Sequence, residues 1–327
     1  VSGSYQQALP RYVSVDDQGV EREFLAEALG EIEAMNRTFL KGYQWPFDPR
    51  KADGSSRVDM LVKAEEDKGR RVYMDYTRDP IGYDLSRLSS EARDYLMNCG
   101  ADKATPIERL RAINAPAIAL YQAHGIDLTC EPLEVRVCAQ HHNGGIAVDA
   151  DWQTCVPGLY VCGEAAGTFG RYRPGGTALN STQVGSMRAA EHIAMHSRRQ
   201  PTARGLAEPP RVPAGEPSAI IAELQADMTR YAAFLREEDG MRRLLAKLEA
   251  YGRETVKADT ADPRLVSRLR LRDMLLTQRE VLSAMLASLS QDTDAGVLMT
   301  RGGVSRREAA RPLPERDLWF ERVWQEY

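Results

Sequence analysis

Residues 140–190 constrain the fold of this chain more than any other segment. They read QHHNGGIAVDADWQTCVPGLYVCGEAAGTFGRYRPGGTALNSTQVGSMRAA, and the apolar run at 156–162 predicts a buried strand. Gly163 and Glu164 follow this run, so a carboxylate is expected at the carboxyl end of the strand. Open α/β sheets bind ligands outside the carboxyl ends of their strands. The segment therefore predicts a ligand site at Glu164, with hydroxyl groups of a ribose or polyol as natural partners.

A glycine pair and a helix start complete the predicted site. Gly175 and Gly176 permit backbone angles that side chains forbid, and the helical pattern begins at Thr177. The first turn of a helix carries unpaired N–H groups and the positive end of the helix dipole. We expect anionic groups or electron-rich ring edges to bind there.

The order of these motifs resembles one protein family. GGIAVD, then TCVPGLYVCGE, then RPGG, then a helix with a small-residue run, is similar to the C-terminal half of the fumarate reductase and succinate dehydrogenase flavoprotein superfamily, which includes L-aspartate oxidase. The resemblance implies an FAD-dependent oxidoreductase acting on a small-molecule substrate. The residues it implies at the cofactor are Gly144, Gly145, Gly163, Glu164, Gly175, Gly176, Ala178 and Leu179.

The same resemblance implies a group that holds the substrate. Arg173 precedes Pro174 and the glycine pair, where the family has an arginine that binds a substrate carboxylate against the flavin. A guanidinium suits this task because it donates two parallel hydrogen bonds to a carboxylate. Arg171 competes for the role.

The resemblance also implies a substrate-binding histidine. His141 is the preferred candidate, with His142 second; the spacing to the glycines is one residue shorter than in the family, so Gln140 also stays open. The alternative is that neither histidine touches substrate, since lone histidines are often structural.

The proton donor is less clearly marked. The family places an arginine in its capping domain, before a strand that resembles VSVDDQGVEREF, and Arg11 is the nearby candidate. Tyr5, Tyr12 and Tyr172 are alternative acids, although a tyrosine with an ordinary pKa of about 10 would need tuning.

One expected motif is absent from the sequence. Members of this superfamily begin with a βαβ unit that holds the ADP half of FAD on a G-x-G-x-x-G loop, and this chain contains no such loop. The sequence begins at Val1 rather than at a methionine. We therefore expect a fragment, a processed product or one subunit of a split enzyme, with the N-terminal FAD-binding half or a partner subunit supplied separately.

The predicted fold is α/β: the C-terminal part of a Rossmann-like FAD-binding domain with a capping-domain remnant and a C-terminal helical bundle. We assign 1–133 to the capping-domain remnant and return segment, 134–200 to the FAD-binding domain, 201–218 to a Pro- and Gly-rich linker, and 219–327 to the helical domain. Apolar periodicity predicts helices over 21–40, 89–97, 220–235, 241–251 and 265–289, and a strand over 71–76. Trp319, Phe320, Val323 and Trp324 form an aromatic group after the bundle, expected to make ordinary hydrophobic contacts.

Composition excludes several classes of function. A net charge of −4 argues against general nucleic-acid binding, and no apolar run approaches the ~18 residues of a membrane span. A cytoplasmic location is therefore expected.

The five cysteines lack C-x-x-C spacing, so we predict buried structural thiols and no metal site. His192 and His196 lie four residues apart on a predicted helix, where an exposed face is favoured over a metal pair.

A function of another class also fits the sequence. Without the ADP-binding half, the chain could act as a non-catalytic assembly or interaction module built on the helical bundle, with no flavin bound. Flavin absorbance of the purified protein distinguishes the two hypotheses.

Overall fold

A computed structural model describes residues 3–44, 53–138, 145–169, 177–196, 208–233, 236–290, 299–300 and 303–304. The chain divides into two compact units, Val1–Cys138 and Ala139–Tyr327. Each unit is described by itself. The finer division of the second unit into an FAD-binding part, a linker and a helical domain stays a prediction.

The first unit contains a four-stranded antiparallel sheet in the order β2-β1-β3-β4. Its strands are β1 (Arg11–Val15), β2 (Glu21–Arg22), β3 (Arg71–Asp75) and β4 (Leu133–Glu134). β1 pairs with β3 along its whole length, with Val13 opposite Tyr73. The sheet confirms the predicted strand at 71–76.

The described part of this unit also contains six α-helices: α1 (Ser4–Gln7), α2 (Phe24–Leu29), α3 (Glu31–Lys41), α4 (Ser56–Asp67), α5 (Ser90–Asn98) and α6 (Pro106–Gln122). A capping box starts α6, because Thr105 and Glu108 each bond the other's backbone N–H. Asn114 leaves helical geometry two residues before Pro116, which kinks α6. The unit has two apolar clusters, one that includes Phe24, Met74 and Leu110 and one that includes Met35, Phe39 and Leu96.

The single helix predicted over residues 21–40 is wrong. Glu21 and Arg22 form β2, and the helical part is divided into α2 and α3 at Gly30. Gly30 has a φ of 83°, a conformation that an α-helix cannot continue through and that glycine adopts readily. Apolar periodicity alone did not reveal this break because the spacing of apolar residues continues across it.

The second unit combines α7 (Thr177–His196) with a helical cluster. The cluster consists of α8 (Pro217–Tyr231), α9 (Glu238–Arg253) and α10 (Leu265–Ser290), whose core includes Leu224, Leu244 and Leu271. These helices confirm the three predicted from periodicity.

The second unit also contains short strands. Strands β5 (Arg211–Pro213) and β6 (Thr255–Lys257) pair antiparallel, and a short hairpin joins β7 (Met299–Thr300) to β8 (Gly303–Val304). The end of the predicted linker is therefore structured, because it holds β5 and the start of α8.

The buried strand predicted over 156–164 is also wrong. Pro157 and Gly158 make a turn, in which the Leu159 N–H donates to the Val156 carbonyl oxygen at 3.0 Å. Only an isolated bridge, between Gln153 and Tyr160, joins the two sides of this turn within the described residues. The side chains of Val156 and Leu159 are about half exposed, so the apolar run is not buried in this chain.

The cysteines differ from the prediction as well. Cys99, Cys130, Cys138 and Cys155 are exposed, and Cys162 is partly buried. The prediction of buried thiols was wrong because three of them lie in residues 130–155, in loops and at the ends of short strands rather than in a core. Within the described ranges, no helix is long and apolar enough to cross a bilayer.

Candidate functional site

The structure brings together three predicted parts of the site that are distant in sequence. Gly145 forms a bridge with Ala166, and the Ile146 N–H donates to the Ala165 carbonyl oxygen at 2.8 Å. A Cβ atom on Gly145 would lie 2.3 Å from the backbone nitrogen of Gly167. Close packing within the chain therefore explains a glycine at position 145. This contact neither requires nor excludes a cofactor beside it.

Gly163 and Glu164 lie in a short 3₁₀ helix, Gly163–Ala165, rather than at the end of a strand. Gly163 has a φ of 72°, which a residue with a side chain would rarely adopt. The nearest atoms to a Cβ built on Gly163 belong to Thr182 at 3.7 Å, so the backbone angle requires glycine here and close packing does not. Glu164 is an exposed residue in this turn.

The N-terminal half of α7 packs beside the same 3₁₀ helix. The hydroxyl oxygens of Thr168 and Ser181 lie 2.9 Å apart in a buried hydrogen bond. Ala178 is partly buried in the first turn of α7, whereas Leu179 is exposed. Because the first turn of a helix carries free N–H groups, it is suited to an anion or a ring edge. Gly145, Glu164 and the start of α7 thus belong to one region.

A second set of contacts joins the loop at 149–163 to the middle and the C-terminal part of α7. The Trp152 ring lies against Gly185, where a Cβ atom would be 2.3 Å from the indole nitrogen. The Tyr160 hydroxyl is hydrogen-bonded to Nδ1 of His192 at 2.6 Å. Nε2 of His192 lies 3.8 Å from an Asp151 carboxylate oxygen. This group was not predicted, because no sequence motif links Tyr160 to His192. Only the prediction that a loop is followed by a helix in this segment could have suggested the contact.

His192 and His196, four residues apart on α7, contact each other. The His192 and His196 rings are stacked with their centroids 4.1 Å apart, and Nδ1 of His196 lies 3.0 Å from the His192 carbonyl oxygen. In the described part of the chain, no three His, Cys, Asp or Glu side chains come together as a metal site. His196 is exposed, but His192 is partly covered by its contact with Tyr160.

Several predicted site residues lie outside the described residues. These are Gln140, His141, His142, Gly144, Arg171, Tyr172, Arg173, Gly175 and Gly176. Their roles at the cofactor and substrate stay predictions. The aromatic group at 319–324 also lies outside the described residues.

Arg11 is engaged within the first unit. Its guanidinium donates to Asp75 at 2.8 and 3.1 Å and to Glu21 at 2.9 Å, and it lies 3.5 Å from Glu23. Burial alone would lower the pKa of Arg11, but hydrogen bonds to Asp75 and Glu21 outweigh burial and raise that pKa. A guanidinium held by three carboxylates is well explained as a structural group. These contacts favour that role over proton delivery to a substrate.

Two of the tyrosines proposed as alternative acids, Tyr5 and Tyr12, are buried in the core of the first unit. The Tyr5 hydroxyl donates to the Ala117 carbonyl oxygen at 2.8 Å. Burial raises the pKa of Tyr5, and burial together with the nearby Asp59 raises the pKa of Tyr12. A raised pKa makes a hydroxyl a weaker acid at neutral pH. Tyr5 and Tyr12 are therefore poorly suited to donating a proton.

The residues around α7 fit the chemistry of a dinucleotide flavin cofactor. The Glu164 carboxylate offers two acceptor oxygens for sugar hydroxyl groups. The N–H groups in the first turn of α7 offer donors for a phosphate or for the electron-rich edge of a ring. The left-handed conformation of Gly163, which lacks a side chain, leaves the backbone accessible beside Glu164.

Comparisons with known proteins agree with this chemistry. The model of a family described as FAD binding domain matches residues 50–179. An L-aspartate oxidase from Rhodospirillum rubrum is 30% identical over 177 residues, which cover 52% of this chain and 58% of that protein. An L-aspartate oxidase from Streptomyces coelicolor is 35% identical over 155 residues, which cover 43% of this chain and 26% of that protein.

The fold is similar to that of a solved flavoprotein chain. A structure of quinol–fumarate reductase with menaquinol molecules superposes with a TM-score of 0.54 at 16% sequence identity. The superposition covers 92% of this chain and 52% of the reductase chain. The chain thus spans about half the length of this structural relative, and no more than 58% of either curated relative.

Proposed function

We propose that this chain is part of an FAD-dependent oxidoreductase of the fumarate reductase and succinate dehydrogenase flavoprotein superfamily, which the matches to an FAD binding domain and to L-aspartate oxidases support. The reaction is the passage of a hydride between the flavin and an activated C–C bond of a small substrate that bears a carboxylate. The observation that carries this proposal is the FAD binding domain match over residues 50–179, which contains Gly145 and Glu164 and ends in the first turn of α7.

FAD would supply the hydride acceptor and donor, and the protein supplies binding and orientation. In this proposal the Glu164 carboxylate accepts hydrogen bonds from sugar hydroxyl groups of the cofactor. The first turn of α7, with Ala178 and Leu179, would hold the edge of the flavin ring or a phosphate. Gly144, Gly175 and Gly176 let the backbone approach the cofactor closely.

Two kinds of side chain would hold the substrate. Arg173 binds a substrate carboxylate through two parallel hydrogen bonds, which fixes the reacting bond relative to the flavin. His141, or His142 in the alternative register, donates a hydrogen bond to a second polar group of the substrate. The proton donor stays unassigned in this proposal, because Arg11, Tyr5 and Tyr12 have structural roles in the first unit.

The whole activity needs more polypeptide than this chain contains. The relatives extend beyond the matched region, so we propose that the other FAD-binding portion comes from polypeptide that this chain does not span. The alternative of a non-catalytic module without flavin is not favoured, since the matched domain is an FAD binding domain.

The test replaces the two arginines near the glycine pair in the flavin-loaded protein. We expect Arg173→Ala to lower kcat/KM by about 100-fold or more while flavin absorbance is retained, because a bidentate contact with substrate is lost. Arg171→Ala is the matched control and should retain most of the activity. Oxidation of L-aspartate and reduction of fumarate are the two assays, since these substrates appear in the names of the relatives.

The activities of the two variants show which arginine, Arg173 or Arg171, binds the substrate carboxylate. Loss of activity in Arg171→Ala with retention in Arg173→Ala would transfer the carboxylate contact to Arg171. An unchanged kcat/KM in both variants would refute the arginine contact altogether.

A further inference from the structure

One side of α7 carries a row of residues that contact the segment 149–168. The members of this row follow each other at intervals of four, three and four residues, which places them on the same side of a helix with 3.6 residues per turn. They are Ser181, Gly185, Arg188 and His192. Their contacts in the segment, in the same order, are Thr168, Trp152, Asp151 and Tyr160. The segment that contains Glu164 is therefore joined to α7 over about three turns.

Both ends of the row are hydrogen bonds between side chains. Near the start of α7, the hydroxyl oxygens of Thr168 and Ser181 lie 2.9 Å apart. About three turns further along, the Tyr160 hydroxyl lies 2.6 Å from Nδ1 of His192. Glu164 follows Tyr160 by four residues and precedes Thr168 by four residues. Hydrogen bonds to one helix therefore hold the chain on both sides of Glu164.

The turn that carries Tyr160 is held by further contacts. The Val161 N–H donates to the Trp152 carbonyl oxygen at 3.1 Å. Trp152 has a φ of 60°, which a residue with a side chain rarely adopts and which persists only where surrounding contacts hold it. Here the Trp152 ring lies against Gly185. The hydrogen bond of Tyr160 thus acts on a constrained turn, and a displacement of Tyr160 is expected to reach Gly163, three residues further on.

The surroundings of His192 orient its ring toward Tyr160. Nε2 of His192 lies 3.8 Å from an Asp151 carboxylate oxygen, and the other oxygen of Asp151 lies 3.9 Å from the Arg188 guanidinium. The His196 ring stacks on the His192 ring with the centroids 4.1 Å apart. A histidine with its proton on Nε2, toward Asp151, accepts the hydrogen of the Tyr160 hydroxyl at Nδ1.

We propose that Tyr160 and His192 are positioning residues for the cofactor. Their hydrogen bond, together with the one between Thr168 and Ser181, fixes Glu164 relative to the first turn of α7. This inference rests on the proposed function, in which Glu164 and that turn bind two parts of one cofactor. A cofactor held by two groups binds more tightly when the spacing between those groups is set before it arrives. The hydrogen bond of Tyr160 to His192 therefore raises the affinity for FAD without touching it.

The Kd for FAD of the assembled protein tests this role. The assembled protein is this chain together with the polypeptide that completes the FAD-binding domain in the proposed function, and flavin fluorescence gives the Kd. Tyr160→Phe keeps the ring and removes the hydroxyl, so we expect the Kd to rise about 3- to 10-fold. Tyr251→Phe is the matched control, because the Tyr251 hydroxyl donates to the Glu223 carboxylate at 2.7 Å in the helical cluster. The control should leave the Kd unchanged.

A double-mutant cycle separates positioning from a general loss of stability. If Tyr160 acts through Glu164, its hydroxyl has nothing to position once the Glu164 carboxylate is removed. In a Glu164→Ala background, Tyr160→Phe should therefore change the Kd by less than about 2-fold. An equal rise of the Kd in both backgrounds would overturn the inference, and so would a Tyr160→Phe protein with the Kd of the parent.

Substitutions of His192 form an independent test, which also serves if Tyr160→Phe does not fold. His192→Leu removes the acceptor and should raise the Kd as Tyr160→Phe does. His192→Asn retains a polar atom the same number of bonds from the backbone as Nδ1, so it should bring the Kd within about 2-fold of the parent value. Equal Kd values for the two His192 variants would contradict the positioning role.

Hydrogen exchange of residues 145–169, followed by mass spectrometry, gives a measurement that needs no flavin. Exchange should be about 3-fold faster or more in Tyr160→Phe and unchanged in Tyr251→Phe. Exchange at the parent rate in Tyr160→Phe would overturn the inference. If Glu164→Ala weakens FAD binding and Tyr160→Phe does not, the inference alone fails. If the assembled parent protein binds no FAD, the proposed function fails and the positioning role fails with it.

Discussion

Arg109 shows how one side chain can organise a unit. It is fully buried, and its guanidinium donates to the Ala8 carbonyl oxygen at 2.9 Å and to the Lys103 carbonyl oxygen at 3.0 Å. It also donates to the Asp79 carboxylate at 2.6 Å and lies 4.1 Å from the centre of the Tyr83 ring. A buried charge persists only when it is paired and hydrogen-bonded in this way. Arg109 therefore ties the segment before β1 to α6.

Replacing Arg109 by methionine should destabilise the first unit by about 3–5 kcal/mol. The substitution keeps much of the apolar stem but removes the donors for the Ala8 and Lys103 carbonyl groups and the partner of Asp79. Chemical denaturation measures the change in the free energy of unfolding. Arg111→Met, at an exposed position on the same helix, is the control and should change stability by less than about 0.5 kcal/mol. Equal effects of the two substitutions would contradict the structural role of Arg109.

Glu164 is the residue on which the proposed cofactor contact depends. Glu164→Gln keeps the size of the side chain but weakens its hydrogen bonds to hydroxyl groups, which contribute about 1.5–3 kcal/mol when the acceptor is charged. We expect the Kd for FAD of the assembled protein to rise about 10- to 100-fold, measured by flavin fluorescence. Glu191→Gln, at an exposed position on α7, is the control and should leave the Kd unchanged. Equal affinities of Glu164→Gln and the parent protein would exclude the contact.

Residue-level features are visible in the sequence where their cause is local. Gly163 has a positive φ, which a glycine adopts readily, while its role at a cofactor stays a prediction. The partners of Arg11 could not be predicted, because Asp75 is 64 residues away and becomes a neighbour only when β1 pairs with β3. The contact between Tyr160 and His192 was missed for the same reason.

At the scale of elements, the guanidinium of Arg268 on α10 hydrogen-bonds the segment that contains β5. Arg268 is buried and donates to the carbonyl oxygens of Pro213 and Gly215 at 2.8 and 2.9 Å. Its Nε donates to the Asp262 carboxylate at 2.8 Å. The backbone N–H of Arg264 and the side chain of Arg268 lower the pKa of Asp262 to about 2.

Because the pKa of Asp262 is lowered, the stability that its contact with Arg268 contributes depends on pH. A carboxyl group with a depressed folded-state pKa stabilises the fold fully above its unfolded pKa of about 3.9, and this stabilisation is lost as the pH falls toward the folded value. We expect Asp262→Asn to lower the Tm at pH 7 and to differ progressively less from the parent protein between pH 4 and pH 2. Thermal unfolding followed by circular dichroism measures both. A difference in Tm that stays constant over this range would show that Asp262 does not contribute through its charge.

Elements were predictable where periodicity was long and unbroken. The helices α8, α9 and α10 follow apolar spacing that a sequence displays directly. Two errors had specific physical causes: Gly30 ends α2 in a conformation that periodicity does not reveal, and Pro157 with Gly158 turns an apolar run that resembles a strand. An apolar run of this length predicts burial, but the sequence does not indicate which residues would pack against it.

At the scale of the whole molecule, the family match and the structural superposition lead to the same interpretation. The chain has the fold of part of a flavoprotein subunit and spans about half of the solved relative. The cofactor and the superfamily could be predicted from sequence because several spaced motifs agree in order. The arrangement of the predicted substrate groups could not be determined, since Arg173 and His141 lie outside the described residues.

The account depends on FAD binding by a protein that contains this chain. The visible absorbance spectrum of the assembled protein, recorded as purified and again after incubation with FAD and removal of free cofactor, tests this claim most directly. We predict the flavin absorption bands in at least one of the two spectra, at about one flavin per chain, and their loss or weakening in Glu164→Gln. A protein that is assembled and folded but shows no flavin absorbance in either spectrum would contradict the account.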